Sequence, residues 1–320
     1  MKPYPLKFHP LFQERVWGGE RLARFLGKRT PPAKRIGESW ELSCCGDEIS
    51  MVANGSYQGM GLDRMVADFG AALIGTDAHP GAFPLLFKYV DAEDLLSVQV
   101  HPDDRYAERH EGGELGKTEA WVVVDALPGA RLVRGLEPGA DAVSFRRAVE
   151  VGDLSEMLHW IAVSPGDVIF VPAGQVHAIG SGMLLYEVQQ SSDVTYRLYD
   201  WGRPRPLHTE KAPEVIRFEK LPDFVEGVSA QEPGGTRTAL LRCPYFVMER
   251  LDVRLCMENH CDGRCFHVLS VLGGHGHIRW GKGQTMALEP GLTLLLPAQL
   301  GAYQVSGAVQ AIKTTLPSGG

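Results

Sequence analysis

Short apolar runs separated by glycine and proline are the main pattern along this chain. The runs are rich in Val, Leu, Ile and Phe, and the 37 glycines and 21 prolines stand between them. Such punctuation is typical of an all-β sandwich or barrel. Strand-like runs lie at 39–43, 49–52, 120–124 and 266–272. The pattern therefore predicts an all-β protein.

Three segments have a helical rather than a strand-like period. They cover 19–26, 62–73, and 143–149 together with 153–158, which flank Gly152. Apolar residues recur in them at the spacing of one helical face. We expect these few short helices to cover the edges of the sheets.

An internal repeat indicates how the strands are organised. The segment PGDVIFVPA at 165–173 returns as PGLTLLLPA at 290–298, each a Pro-Gly turn, an apolar strand and a Pro-Ala stop. Repetition of a whole unit predicts two related β-domains. Segment 218–236 holds prolines, glycines and acidic residues without apolar periodicity, so we expect it to connect the domains. We place the first domain at 1–217 and the second at 237–320.

Charge and cysteine content restrict the function. The formal net charge of −7 argues against a nucleic-acid partner, because no basic stripe could neutralise phosphates along a duplex. The apolar runs are too short to span a bilayer, and the start of the chain lacks an apolar signal region. Six cysteines, two of them adjacent at Cys44 and Cys45, form no spaced disulfide framework. We therefore expect a cytoplasmic protein with no membrane partner.

Four residues form a candidate metal site. Period-2 alternation places Gln99 and His101 on one face of a strand. Glu119 begins a later strand, and His177 follows the Pro-Ala stop at 172–173. Two imidazoles, one carboxylate and one amide oxygen suit Zn or Fe, and three strong ligands with an exchangeable position are typical of a catalytic site.

The other histidines and cysteines are expected to be ordinary. His9, His79, His110, His159 and His208 are interpreted as hydrogen-bonded surface or core residues. The cysteines and histidines between 256 and 267 lack the paired spacing of a zinc knuckle, and buried free cysteine is common. In the repeat, Ala302 stands opposite His177, so we expect the second domain to have lost any metal.

Several longer stretches resemble the short bacterial type I mannose-6-phosphate isomerases. The likeness is close over about 4–210, and its best stretches are FPLLFK (83–88), LLSVQVHPD (95–103), GKTEAW (116–121), VPAGQVHAI (171–179), EVQQSSD (187–193) and YRLYDW (196–201), with WGG (17–19) and GESWELS (37–43). The resemblance implies two cupin jelly-roll β-sandwich domains and interconversion of mannose 6-phosphate with fructose 6-phosphate. It also implies one zinc ion per chain on His101, Glu119 and His177, with Gln99 adjoining, and a catalytic Arg197.

An aldose–ketose isomerisation needs a base, a stabiliser of the enediolate and groups that hold the sugar. Lys117 lies two residues before Glu119, hence on the same face, and is our candidate for proton transfer. Glu187 is the competing base and a candidate substrate contact, and Glu38 and Trp17 are expected to line the sugar pocket. The cations considered for the phosphate are Lys34, Arg35, Lys88, Arg203 and Lys211.

Two other functions fit the same ligands. Two histidines and one carboxylate also describe an Fe(II) cupin dioxygenase. A non-catalytic cupin that binds sugar phosphate is the second alternative. Arg197 and Lys117 favour an anionic, hydroxyl-rich small molecule as the partner, and no oligomeric state follows from the sequence.

Overall fold

The computed structural model describes residues 1–317, in which strands are the main regular secondary structure. The strands up to residue 200 are β1 Leu6–Lys7, β2 Leu11–Gly19, β3 Ile36–Leu42, β4 Cys44–Cys45, β5 Glu48–Ile49, β6 Leu85–Ala92, β7 Val98–Val100, β8 Glu119–Ala126, β9 Arg131–Leu136, β10 Leu158–Ala162, β11 Val168–Val171, β12 His177–Ala178, β13 Met183–Gln190 and β14 Tyr196–Tyr199. The later strands are β15 Val228–Glu232, β16 Gly235–Arg242, β17 Val247–Val253, β18 Cys256–Cys261, β19 His267–Trp280, β20 Gln284–Leu288, β21 Thr293–Leu296 and β22 Gly301–Thr315. The prediction of an all-β protein is confirmed.

The α-helices of the described chain are few and short. They are α1 Arg21–Leu26, α2 Leu62–Phe69, α3 Ala71–Ile74, α4 Asp104–His110, α5 Ala142–Val151 and α6 Ala212–Val215. None of them has the length and apolar character needed to cross a membrane.

Glycines set the ends of the predicted helices. The expected helix at 62–73 is divided between α2 and α3 at Gly70, whose φ of 45° interrupts the helical backbone. Helix α5 ends at Gly152 in the left-handed conformation. The prediction of a helix at 153–158 is wrong, because Ser155–Met157 forms a single 3-10 turn and Leu158 begins β10.

Two antiparallel sheets form the first sandwich. A six-stranded sheet has the order β11-β8-β13-β6-β3-β2, and a five-stranded sheet has the order β10-β9-β12-β7-β14. Successive side chains of β6 point to opposite faces of the sheet. Leu85, Phe87 and Tyr89 pack in one apolar cluster, whereas Val90 and Ala92 belong to the cluster between the two sheets.

A nine-stranded sheet forms the second unit. Its main order is β1-β21-β19-β22-β17-β16-β15, with β18 and β20 pairing to β22 and β19. One face packs on the six-stranded sheet through Phe246, Phe266 and Ile312. The other face contributes to an apolar interior that includes Leu269, Leu294 and other residues of this unit. The two units therefore share one continuous core.

Two strands lie where the sequence predicted otherwise. The segment 218–236, expected to be only a connection, contains β15, which pairs with β16. The strand β15 lacks apolar periodicity because it is an edge strand exposed on both faces. At the N-terminus, β1 lies in the segment 1–217 assigned to the first domain, yet it pairs with β21 of the second unit. The boundaries 1–217 and 237–320 stay a prediction, and residues 318–320 of the second lie outside the described chain.

Candidate active site

The five-stranded sheet aligns three candidate residues side by side. In the antiparallel register, Arg197 on β14 is opposite Gln99 on β7, and Gln99 is opposite His177 on β12. Opposed residues project from the same face of a sheet. His101 follows the end of β7 directly, and Glu119 begins β8 in the facing sheet. Both sheets therefore direct ligand-type side chains into the space between them.

His101, Glu119 and His177 form a buried cluster. Nε2 of His101 lies 3.6 Å from Oε2 of Glu119, and Nε2 of His177 lies 3.3 Å from Oε1 of Glu119. Within residues 1–317, this is the one group of three or more His, Cys, Asp or Glu whose ligand atoms lie within 4.8 Å of one another. The cysteines and histidines of 256–267 form no such group.

Backbone carbonyls fix the tautomers of both histidines. Nδ1 of His101 donates to the carbonyl of Val194 at 2.9 Å, and Nδ1 of His177 donates to the carbonyl of Gln175 at 2.9 Å. Each Nε2 therefore carries a lone pair directed at Glu119. Nε2 of His101 is buried and has no hydrogen-bond partner in the described chain. A buried lone pair of this kind fits a metal ligand whose orientation is set by its second ring nitrogen.

The charge states of the cluster also suit a metal. Burial lowers the pKa of His177 to about 3, although Glu119 opposes the shift. Burial and the charge of Lys117 lower the pKa of His101. Burial raises the pKa of Glu119, but the charge of Lys117 opposes burial and the pKa lies well below its usual range. Two neutral imidazoles and one carboxylate are the forms that bind a divalent cation.

Gln99 occupies the adjoining position. Its side-chain Nε2 lies 3.1 Å from Nε2 of His177. The two ends of an amide are assigned from the hydrogen-bond network, so a flip of the side chain brings the oxygen to the same place. The amide can therefore supply a fourth, weaker ligand.

A cavity of about 400 Å³ opens beside the cluster. It is lined by the predicted residues Trp17, Glu38, Gln99, Lys117, Glu119, Glu187 and Arg197, together with residues that include Arg15, Lys88, Ser97, Asp193, Thr195 and Arg205. The cavity thus brings together side chains from β2, β3, β6, β7, β8, β13 and β14 and from the loops beyond them. His101 and His177 lie behind its lining.

Paired charges line the floor of the cavity. Nζ of Lys88 lies 3.4 Å from Oε1 of Glu187 and 3.7 Å from Oε1 of Glu38. Burial opposes the charge of Lys88, but the two carboxylates raise its pKa overall. Burial also raises the pKa of Glu187 to about 8, with Lys88 opposing and Glu119 reinforcing the shift. Nζ of Lys117 lies 3.1 Å from Oε2 of Glu119.

Arginines surround the mouth of the cavity. Nη1 of Arg197 donates to the carbonyl of Pro206 at 2.9 Å, and its Nε donates to Oγ of Ser97 at 3.4 Å. Arg205 binds Asp200 through Nε at 2.6 Å and Nη2 at 2.7 Å. Nη2 of Arg15 lies 2.9 Å from Oε2 of Glu38.

Most cations considered for the phosphate lie elsewhere. Of these only Lys88 lines the cavity. Lys34 pairs with Glu14, and Lys211 pairs with Glu111. The sequence pointed to neither Arg15 nor Arg205. The one available signal for Arg205 was its position in the Arg-Pro-Arg-Pro run that follows the YRLYDW stretch.

An antiparallel double-sheet sandwich that carries two histidines and one glutamate at the end of its interior has the architecture of a cupin with a candidate metal site. Comparison with known families makes this more specific. The chain matches the family model "Phosphomannose isomerase type I, catalytic domain" over residues 6–117 and the model "Mannose-6-phosphate isomerase, cupin domain" over 236–316.

Curated relatives extend the similarity over the whole chain. Mannose-6-phosphate isomerase ManA of Bacillus subtilis (strain 168) is 37% identical over 99% of this chain and 100% of its own length. The mannose-6-phosphate isomerase of Streptococcus mutans is 37% identical over 96% of this chain and 97% of its own. A crystal structure of the mannose 6-phosphate isomerase from Bacillus subtilis superposes with a TM-score of 0.91 at 32% identity, covering 97% of this chain and 99% of that one.

This chain belongs to the type I mannose-6-phosphate isomerase family. The predictions of a cupin fold and of an aldose–ketose isomerase are confirmed. Membership of this family favours the isomerase over the Fe(II) dioxygenase and over the non-catalytic binding protein.

Proposed function

We propose that this chain interconverts mannose 6-phosphate and fructose 6-phosphate in the cavity beside one bound zinc ion. The proposal is carried by the convergence of two neutral imidazoles and a carboxylate around a buried lone pair that has no protein partner. His101, Glu119 and His177 would hold the ion, and Gln99 would adjoin it as a weak fourth ligand. Two nitrogens and one carboxylate with an exchangeable position suit zinc.

The bound ion would supply Lewis acidity toward the sugar oxygens. The residues of the chain would do the rest. The guanidinium of Arg197 keeps its charge at any physiological pH and donates in a fork, so it can stabilise an enediolate oxygen. Trp17 and Glu38 would contact the sugar.

The proton has two candidate carriers. We assign its transfer between C1 and C2 to Lys117, which lies beside Glu119 in the cavity. Glu187 is the alternative, because burial gives it a pKa near the pH of the cell. Exchange of the substrate C2 hydrogen with solvent deuterium distinguishes the two residues. Lys117→Met should abolish this exchange, whereas Glu187→Gln should weaken substrate binding but leave the exchange in place. The reverse pattern assigns the transfer to Glu187.

Arg205 and Arg15 are the proposed contacts for the phosphate. Both line the cavity, and their side chains are about one-third exposed, which leaves them open to an entering anion. Guanidinium groups bind phosphate oxygens through two parallel hydrogen bonds. All six cysteines are free, which supports our assignment to the reducing environment of the cytoplasm.

Incubation of purified, metal-analysed protein with fructose 6-phosphate tests the function. We expect about one zinc per chain, formation of mannose 6-phosphate, and loss of turnover with a chelator, as for a catalytic metal. His177→Gln should lose both metal and turnover, and the matched control His79→Gln, at an exposed histidine, should keep both. Zinc-loaded protein without turnover, or bound iron with oxygen consumption, would contradict the proposal.

A further inference from the structure

The loop from Asp200 to His208 folds back over the catalytic-site arginine. Its Pro206 carbonyl accepts from Nη1 of Arg197 at 2.9 Å. The nearest acid of the loop, Asp200, is already bound by Arg203 and Arg205. Arg197 is therefore oriented by neutral acceptors, and its Nη2 makes no hydrogen bond within residues 1–317.

His208 makes hydrogen bonds with both backbone groups of Arg197, its N–H and its carbonyl. The backbone N–H of Arg197 donates to Nδ1 of the His208 ring at 2.9 Å, and the backbone N–H of His208 donates to the carbonyl of Arg197 at 2.8 Å. Strand β14 is the last strand of its sheet. Its outer edge would leave polar backbone groups without a partner at Arg197, and His208 supplies both partners there.

The accepting role of Nδ1 requires a neutral ring with its proton on Nε2. Burial and the charge of Arg197 lower the pKa of His208, Glu111 opposes this shift, and Lys211 reinforces it. A protonated ring would turn an N–H toward the N–H of Arg197. The surroundings thus favour the form that makes the hydrogen bond.

We propose that His208 is a positioning residue for the isomerisation, in which its Nδ1 holds the edge of β14 so that Arg197 projects into the cavity. The inference rests on the proposed role of Arg197. Pro206 and Ser97 hold two guanidinium nitrogens of Arg197, so a shift of its backbone would break these contacts and displace the remaining donor. Misplaced catalytic groups reduce the rate of the chemical step more than the binding of substrate.

Asparagine and glutamine at position 208 distinguish this role from a general structural one. The amide oxygen of asparagine reaches the place of Nδ1, whereas that of glutamine lies nearer the place of Nε2. We expect His208→Gln to lower kcat about tenfold with KM within about twofold of the native value, and His208→Asn to stay within about threefold in kcat. The matched control is His110→Gln, at a neighbouring histidine whose ring stacks on Tyr106 and makes no side-chain hydrogen bond in the described chain. It should keep native kcat.

The double variant Arg197→Ala, His208→Gln tests whether His208 acts through Arg197. If it does, the double variant is no slower than Arg197→Ala alone, because residues that act as a unit are not additive. The inference is overturned by native kcat in a folded, metal-loaded His208→Gln protein, by equal losses in the asparagine and glutamine variants, or by an additive loss in the double variant. Native turnover in Arg197→Ala would instead refute the proposed role of Arg197 itself.

Discussion

Replacement of the buried His267 should make the stability of the protein less sensitive to acid. His267 begins β19 in the second unit, and its Nδ1 lies 2.8 Å from the hydroxyl of Tyr303. Burial, with the charge of Lys313 acting in the same direction, lowers its pKa from 6.5 to about 3. The folded protein therefore keeps this ring neutral at a pH where the unfolded chain protonates it.

The size of the effect follows from the two pKa values. A base with a depressed pKa in the folded state loses its contribution to stability as the pH falls below the unfolded value of 6.5. Each pH unit below that value costs about 1.4 kcal/mol until the folded pKa is reached. Between pH 8 and pH 5 the native protein should therefore lose about 2 kcal/mol through this group alone. In His267→Phe this loss is absent.

Urea unfolding of native protein and His267→Phe at pH 8 and pH 5, with chelator present throughout, measures the difference. At pH 8 the variant should be less stable by about 1 to 3 kcal/mol, because the buried hydroxyl of Tyr303 loses its partner. At pH 5 it should have recovered about 2 kcal/mol relative to the native protein. All other titrating groups cancel in this comparison. A stability difference that is the same at both pH values would refute the reasoning.

Three further substitutions test other parts of the structure. Arg205→Ala should raise KM for the sugar phosphate about tenfold with unchanged zinc content, because a charge-assisted contact to the phosphate is lost. Initial rates over a range of substrate concentrations measure KM, and an unchanged KM would show that Arg205 does not bind the phosphate. Leu294→Ala, in the apolar interior of the second unit, should cost about 2 to 5 kcal/mol in urea unfolding. Lys28→Met should cost about 3 to 5 kcal/mol, because Nζ of Lys28 lies 2.7 Å from the buried carboxylate of Glu41; a near-native free energy of unfolding would contradict this.

The cluster of His101, Glu119 and His177 could be predicted because each residue lies on or close to a strand that a short stretch of sequence identifies. Strand alternation orients Gln99 relative to His101, and a short segment separates each remaining ligand from a recognisable strand end. The lining of the cavity is different. Arg15 enters it from β2 because β2 pairs with β3 and β3 pairs with β6, and no short-range pattern encodes that order of strands. Arg205 enters from a loop whose path depends on Asp200.

The pairing of β1 with β21 was missed for a similar reason. A two-residue strand has no period to read, and its partner lies almost at the other end of the chain. The exposed edge strand β15 was missed because periodicity reports burial on one face rather than strand conformation. Sequence patterns therefore identified apolar strands such as β8, β11 and β21, and they missed the short strand β1 and the exposed strand β15.

The repeat relates the candidate metal-binding cluster of the first unit to a buried histidine in the second. In the first copy the strand β11 pairs Val171 with Glu119, the first residue of β8. In the second copy Leu296 holds the place of Val171, and it pairs with His267, the first residue of β19. His267 thus stands where the first unit has its carboxylate ligand. There its ring contacts the hydroxyl of Tyr303 beside a cluster of apolar side chains. Because the partner of this buried imidazole is a neutral hydroxyl, protonation of the ring is unfavourable in the folded protein, and acid therefore destabilises the fold.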